Sequence, residues 1–215
     1  MNDLKLAKKL CKYGFDYKLN NIFIIGFFLL GILYMYFGKN RLEIAGAIFV
    51  MLSPMYILQT LASVNYTSLV LTSGKRKKMQ LDMWSKINSV GIYISYTISV
   101  AAYVLINRIR GTFNMDNLKE NIIYFSVMAV ILTIYSAIAY KAFVFGLVIF
   151  FALFLFFTTK FYTMSISTDY PLLIYIIAAF MMISVGNIIY YLITKLIYKM
   201  PYSRLALGAR LRSKL

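Results

Sequence analysis

The residue types that make and break bonds are scarce in this sequence. There is no histidine, a single cysteine (Cys11) and only 7 acidic residues in 215. Disulfides, histidine metal sites and histidine acid–base catalysis are therefore excluded. Of the acids, only Glu43 lies near a long apolar run, and it stands at the end of that run. No G-x-x-x-x-G-K-[ST], G-x-S-x-G or H-E-x-x-H sequence occurs, so no ATP-binding loop, serine nucleophile or zinc-hydrolase site is written in this chain. What remains is the chemistry of contact, concentrated in two places. Gln59, Ser63 and Thr67 recur every four residues beyond Pro54, and on a helix they form one polar stripe. Polar groups in lipid turn toward protein or water, so the stripe reads either as interhelical hydrogen bonding or as the wall of a pathway. The second place is Thr72-Ser73-Gly74-Lys75-Arg76-Lys77-Lys78-Met79-Gln80-Leu81-Asp82-Met83-Trp84-Ser85-Lys86. Thr72 or Ser73 can cap a short helix there. Met79, Met83 and Trp84 then fall on one side, an exposed apolar face suited to a partner's groove. The same basic run also reads as a charge cluster that fixes the loop at a membrane surface.

These residues need a frame, and composition supplies it. The chain is 61% hydrophobic and 14% charged, with 23 Lys+Arg against 7 Asp+Glu and a net charge of +16. Its mean hydropathy is +0.74. A soluble domain carries roughly 25% charged residues, so the expectation is an all-α integral membrane protein, and the basic excess is membrane-loop charge rather than a nucleic-acid surface. A hydrocarbon core of roughly 30 Å takes about 20 apolar residues per helix. Six spans are expected: Ile22 to Phe37, Leu42 to Leu71, Asn88 to Ile106, Asn121 to Tyr140, Ala142 to Thr159 and Leu172 to Lys195. The fourth and fifth are separated only by Lys141, at a tight hairpin. The second is too long for one crossing, and Pro54 inside it favours a kink. Aromatic residues at span ends, such as Tyr34, Tyr140, Tyr170 and Tyr198, suit an interfacial belt.

Counted on alternate sides of these spans, 17 basic residues fall on the side of both termini and 6 on the other. The positive-inside rule puts both ends in the cytoplasm, as an even number of spans requires. The chain forms one transmembrane domain, residues 1–215. Residues 1–20 form an interfacial elbow helix, 72–87 a cytoplasmic loop and 196–215 a basic cytoplasmic tail. In the elbow, Leu6, Leu10, Tyr13 and Tyr17 make an apolar stripe, and Lys5, Lys8, Lys9 and Lys12 a basic one. No small-residue cleavage site follows Phe37, so the first span is expected to stay as an anchor.

In this order of parts, and in the segment Leu69-Val70-Leu71-Thr72-Ser73-Gly74-Lys75-Arg76-Lys77-Lys78-Met79-Gln80, the sequence resembles the membrane (permease) subunits of ABC-2 type ATP-driven exporters. It is similar in particular to small bacterial permeases that export amphipathic peptides such as phenol-soluble modulins and bacteriocin-like products. Those have Ser-Pro before the basic run and Lys-Leu-Gln after it. Here Gly74 stands in the Pro position and Met79 in the Leu position, and a further Pro is replaced by the neighbourhood of Trp84-Ser85. The resemblance implies a homodimer of permeases in a bacterial cell membrane with two ATP-binding cassette subunits. ATP and Mg would be held by those partners, and this chain would be no enzyme and bind no cofactor or metal. Ser73, Lys75, Arg76, Lys77, Lys78, Met79, Gln80, Met83 and Trp84 would form the coupling helix docked on the ATPase. The turn at Lys141 would be a minor contact, and Pro54, Gln59, Ser63 and Thr67 would belong to the pathway. Two rival readings are a six-span substrate-binding subunit of a vitamin-uptake system and a non-transport immunity or assembly protein.

Overall fold

The computed structural model describes residues 17–38, 41–53, 74, 77–139, 141–161 and 166–200. Among the described residues six α-helices follow one another: α1 (Tyr17–Phe37), α2 (Arg41–Leu52), α3 (Met83–Ile109), α4 (Met115–Ala139), α5 (Phe143–Phe156) and α6 (Leu172–Ile197). Wide π-helical turns adjoin two of them, Lys78–Asp82 ahead of α3 and Phe157–Phe161 behind α5. Among the described residues there is no strand. Four helices are long and apolar enough to cross a membrane: Lys18–Phe37, Gln80–Ile109, Met115–Ala139 and Leu172–Ile197. Two shorter apolar helices, Glu43–Leu52 and Val144–Phe156, complete the described set. The lipid-compatible surface is explicit in α6, where Leu173, Ile177, Met181, Val185, Ile188, Leu192 and Leu196 are all exposed at steps of three or four. Ile22, Ile25, Leu29, Leu33 and Tyr36 do the same on α1. Such continuous apolar stripes are avoided on a water-facing surface, and they fit a multi-pass membrane protein.

Helix α4 is the hub. In its most apolar stretch 61% of residues are buried, against 17% in α1. It packs against α6, α5, α3 and α2. Tyr103 of α3 meets Phe125 edge-on with centroids 5.9 Å apart, and Tyr135 lies 5.3 Å from Phe150 of α5. Gly186 of α6 sits against Val130, where an added Cβ would come within 3.1 Å of Cγ2. The α1–α2 hairpin is closer still. A Cβ on Gly31 would lie 2.7 Å from the Gly46 carbonyl oxygen, and one on Gly46 would lie 2.6 Å from the Gly31 oxygen. Only paired glycines let two backbones approach this way, as small residues do in lipid where apolar burial no longer drives association.

Several expected boundaries move. Residues 17–20, the end of the expected elbow, lie within α1, and the rest of that elbow lies outside the described residues. The loop expected to separate the second and third spans is, from Lys77 onward, continuous with α3. No Pro or Gly interrupts Lys77–Ser89, so nothing in that stretch stops the helix. The over-long helix is thus Gln80–Ile109, with 30 residues. At 1.5 Å per residue that is about 45 Å, more than a bilayer core. The expected excess length of the second span, with Pro54, Gln59, Ser63, Thr67 and Ser73, lies outside the described residues.

Candidate functional site

The described part of the candidate docking segment begins at Lys77, in right-handed helical conformation (φ −60°, ψ −47°). The next turn is wide: the Met83 N–H donates to the Lys78 carbonyl five residues back. Such π turns put more side chains into one turn than an α-helix does and occur often at functional sites. Here Gln80, Leu81, Met83 and Trp84 all turn inward, at 0%, 2%, 2% and 3% exposure. Lys77, Lys78, Asp82 and Lys86 remain exposed. The expectation of an exposed face made by Met83 and Trp84 is therefore corrected. Their apolar groups cover the chain's own bundle, where the wide turn meets the end of α6. The exposed part of this tip is basic and polar. Lys75 and Arg76 lie outside the described residues, as does the side chain of Met79.

Lys141 also departs from the expectation of an interfacial side chain. The hairpin it marks is real, with a turn between α4 and α5, but Lys141 is only 3% exposed. Its Nζ donates to the carbonyl oxygens of Tyr198 (3.1 Å) and Met200 (2.9 Å). A cation on the last carbonyls of a helix satisfies acceptors left without intrahelical partners and sits at the negative end of the macrodipole. Lys141 is thus a latch holding the end of α6 to the α4–α5 turn. The docking tip and this latch both lie at the end of the bundle formed by the start of α3, the end of α4 and the end of α6.

The opposite end carries two clips that sequence reasoning passed over. Arg110, just past α3, donates from Nη1 to Glu43 Oε1 at 3.0 Å and to the Gly38 carbonyl at 3.0 Å. One guanidinium therefore ties together the end of α1, the start of α2 and the end of α3. Glu43 is 8% exposed and carries the only buried carboxylate among the described residues. Lys119 of α4 donates to the Thr168 carbonyl at 2.6 Å and lies 5.9 Å from the Tyr175 ring centroid. Tyr175 in turn donates to the Ser167 carbonyl. The segment before α6 is thereby fastened to the start of α4. The signal available in the sequence was an acid and an arginine at the ends of separate apolar runs, a pairing that only the fold brings together.

Among the described residues no three His, Cys, Asp or Glu side chains gather to hold a metal ion. A basic tip is helically continuous with a long helix, in a bundle latched at one end by Lys141 and clipped at the other by Arg110. Comparison with known proteins adds no name to this arrangement, because no family model, no curated protein and no solved structure matches the chain.

Proposed function

We propose that this chain is the permease subunit of a bacterial ABC-2 type exporter, moving hydrophobic or amphipathic cargo across the cell membrane when paired with ATP-binding subunits. The observation that carries the reading is the basic tip Lys77–Lys78, exposed and helically continuous with α3. A partner that grips the tip moves α3 directly, because Gln80, Leu81, Met83 and Trp84 anchor it in the bundle. The permease then contributes different contacts in its different states, and the partner supplies the energy. In this reading there are six crossings. The second begins with α2, and the fifth combines α5 with its π turn, Phe143 to Phe161. The end holding Lys77, Lys78 and Lys141 faces the cytoplasm together with both termini, in agreement with the basic excess on that side. An amphipathic helix precedes α1, and two copies of the chain form the membrane unit.

The experiment is copurification from native membranes. An ATP-binding cassette protein that stays with the full chain, and is lost on Lys77→Glu with Lys78→Glu, supports the reading. Retention of that protein by the double variant removes Lys77 and Lys78 from the contact. A chain that purifies alone with a vitamin-sized molecule bound overturns the exporter reading altogether.

A further inference from the structure

Three side chains near the Lys141 end carry buried polar atoms that nothing satisfies: both amide atoms of Asn187, the hydroxyl of Tyr190 and the amide nitrogen of Asn88. Contacts between helices put them at one depth. Tyr93 of α3 shares a 2.6 Å hydrogen bond with Ser184 of α6. The two helices run in opposite directions, so five residues back along α3, at Asn88, corresponds to about residue 189 of α6. Ser136 of α4 donates to Asn88 Oδ1 at 3.1 Å, which brings α4 to the same depth. On α6, Ile183, Asn187, Tyr190 and Thr194 follow at steps of four, three and four, a single helical stripe. Ile183, Tyr190 and Thr194 are all but fully buried. Thr194 satisfies itself on the Tyr190 carbonyl at 2.8 Å, and Thr133 of α4 does likewise on Ala129 at 2.7 Å. Asn187 and Tyr190 have no such outlet.

An orphaned buried polar group works against the packing that buries it, because it has lost its water partners and gained none. Water cannot relieve it in this packing, since these atoms expose less than 1 Å². Two such residues on one stripe are therefore a standing penalty on the closed junction, and parting α6 from its neighbours removes that penalty. The two residues offer donors and acceptors but no charge, which suits water.

We propose that the α6 stripe carrying Asn187 and Tyr190 is a hydration site: the Lys141 end of α6 parts from α3 and α4, and water enters to bond the Asn187 amide and the Tyr190 hydroxyl. The Arg110 end, whose polar groups are already paired, stays closed. This inference does not require an ATP-driven partner and stands or falls separately from the exporter reading.

The test uses the full chain in opened native membranes, with Cys11→Ser as background so that each introduced cysteine is the only thiol. Tyr190→Cys is expected to react with a water-soluble maleimide at least tenfold faster than Ile92→Cys and Leu132→Cys, whose parent side chains are as fully buried but belong to the apolar core, and Asn187→Cys at least tenfold faster than Ile176→Cys, half-buried on the same helix as Asn187 is. Reaction at positions 187 and 190 no faster than at those controls overturns the proposal. A second reading avoids any dependence on the cysteine variants folding. Tyr190→Phe removes the orphan hydroxyl without changing shape, so it is expected to raise the melting temperature of the detergent-purified chain and slow labelling at Asn187→Cys. A lowered melting temperature means the hydroxyl is already satisfied in the closed packing and contradicts the proposal.

Discussion

The two ends of the bundle are built on different principles. At the Arg110 end the half-buried cations have partners from other elements: Arg110 with Glu43 and Gly38, Lys119 with Thr168. At the Lys141 end the Lys141 ammonium holds the end of α6, while the amide atoms of Asn187 and the hydroxyl of Tyr190 lie buried without partners. Charge-assisted hydrogen bonds are about twice as strong as neutral ones, and unsatisfied groups work against the packing that buries them. The difference teaches where the molecule can move. One end is fastened by paired charges, and the other is held by a latch beside a junction that favours opening. The exposed tip Lys77–Lys78 belongs to the second end, where a pull on it meets least resistance.

Removing Arg110 should produce the largest effect. Arg110→Ala leaves Glu43 buried without its counter-charge, a change that costs about 3–5 kcal/mol when one partner of a buried pair is deleted. The measurement is thermal unfolding of the detergent-purified chain, and pairing the change with Glu43→Gln should recover much of the loss. Recovery of nothing would show that the ion pair is not what fastens this end.

Gly46→Ala comes next. The added methyl meets the Met35 side chain but also the Gly31 backbone oxygen at 2.6 Å and the Met35 backbone nitrogen at 2.8 Å, which a side-chain adjustment does not relieve, and overpacking of this kind costs about 1–3 kcal/mol. The same assay on Gly26→Ala, where nothing lies within 4 Å of the added carbon, should show no loss. Equal losses would deny the close crossing of α1 and α2.

Lys141→Met keeps an unbranched side chain, one atom shorter, and removes the two hydrogen bonds to the end of α6. Its expected cost is about 1–3 kcal/mol, the range for leaving buried acceptors unpaired. Its more specific signature is local: faster hydrogen exchange in the last turns of α6, with the start of α4 unchanged. Exchange that rises equally at both ends would erase the distinction between them.

The smallest effect on stability is expected at the tip. Lys77→Ala with Lys78→Ala alters exposed side chains and should shift stability by no more than about 0.5 kcal/mol. On the proposed exporter reading, the double variant is expected instead to lose copurification with an ATP-binding cassette protein. A large fall in melting temperature would make these lysines part of the fold rather than of a contact.

How much of this was written in the sequence depends on the range of the interaction. The apolar runs that became α1, α4, α5 and α6 were legible, because lipid imposes length and composition on each segment separately. The hairpin at Lys141 was legible for the same reason: one unbroken apolar helix through α4 and α5 would be too long. The burial of Met83 and Trp84 was not. Their local pattern fits an exposed amphipathic face equally well, and only the packing of the wide turn against α6 decides which way they point. Arg110 and Glu43 lie far apart in sequence and pair only once three helix ends converge. Asn187 and Tyr190 did leave a trace, as polar residues spaced by three within an apolar helix, but their lack of partners is a property of the assembled junction.

The most direct test of the account compares the two ends in one experiment. A photo-reactive amino acid is placed at Lys78 on the tip or at Thr112 on the exposed turn beyond Arg110, and native membranes are irradiated. Cross-linking from position 78 to an ATP-binding cassette protein, with none from position 112, is the result expected of a permease driven through its basic tip. No cross-link from position 78 to such a protein, in membranes where the chain is intact, contradicts it.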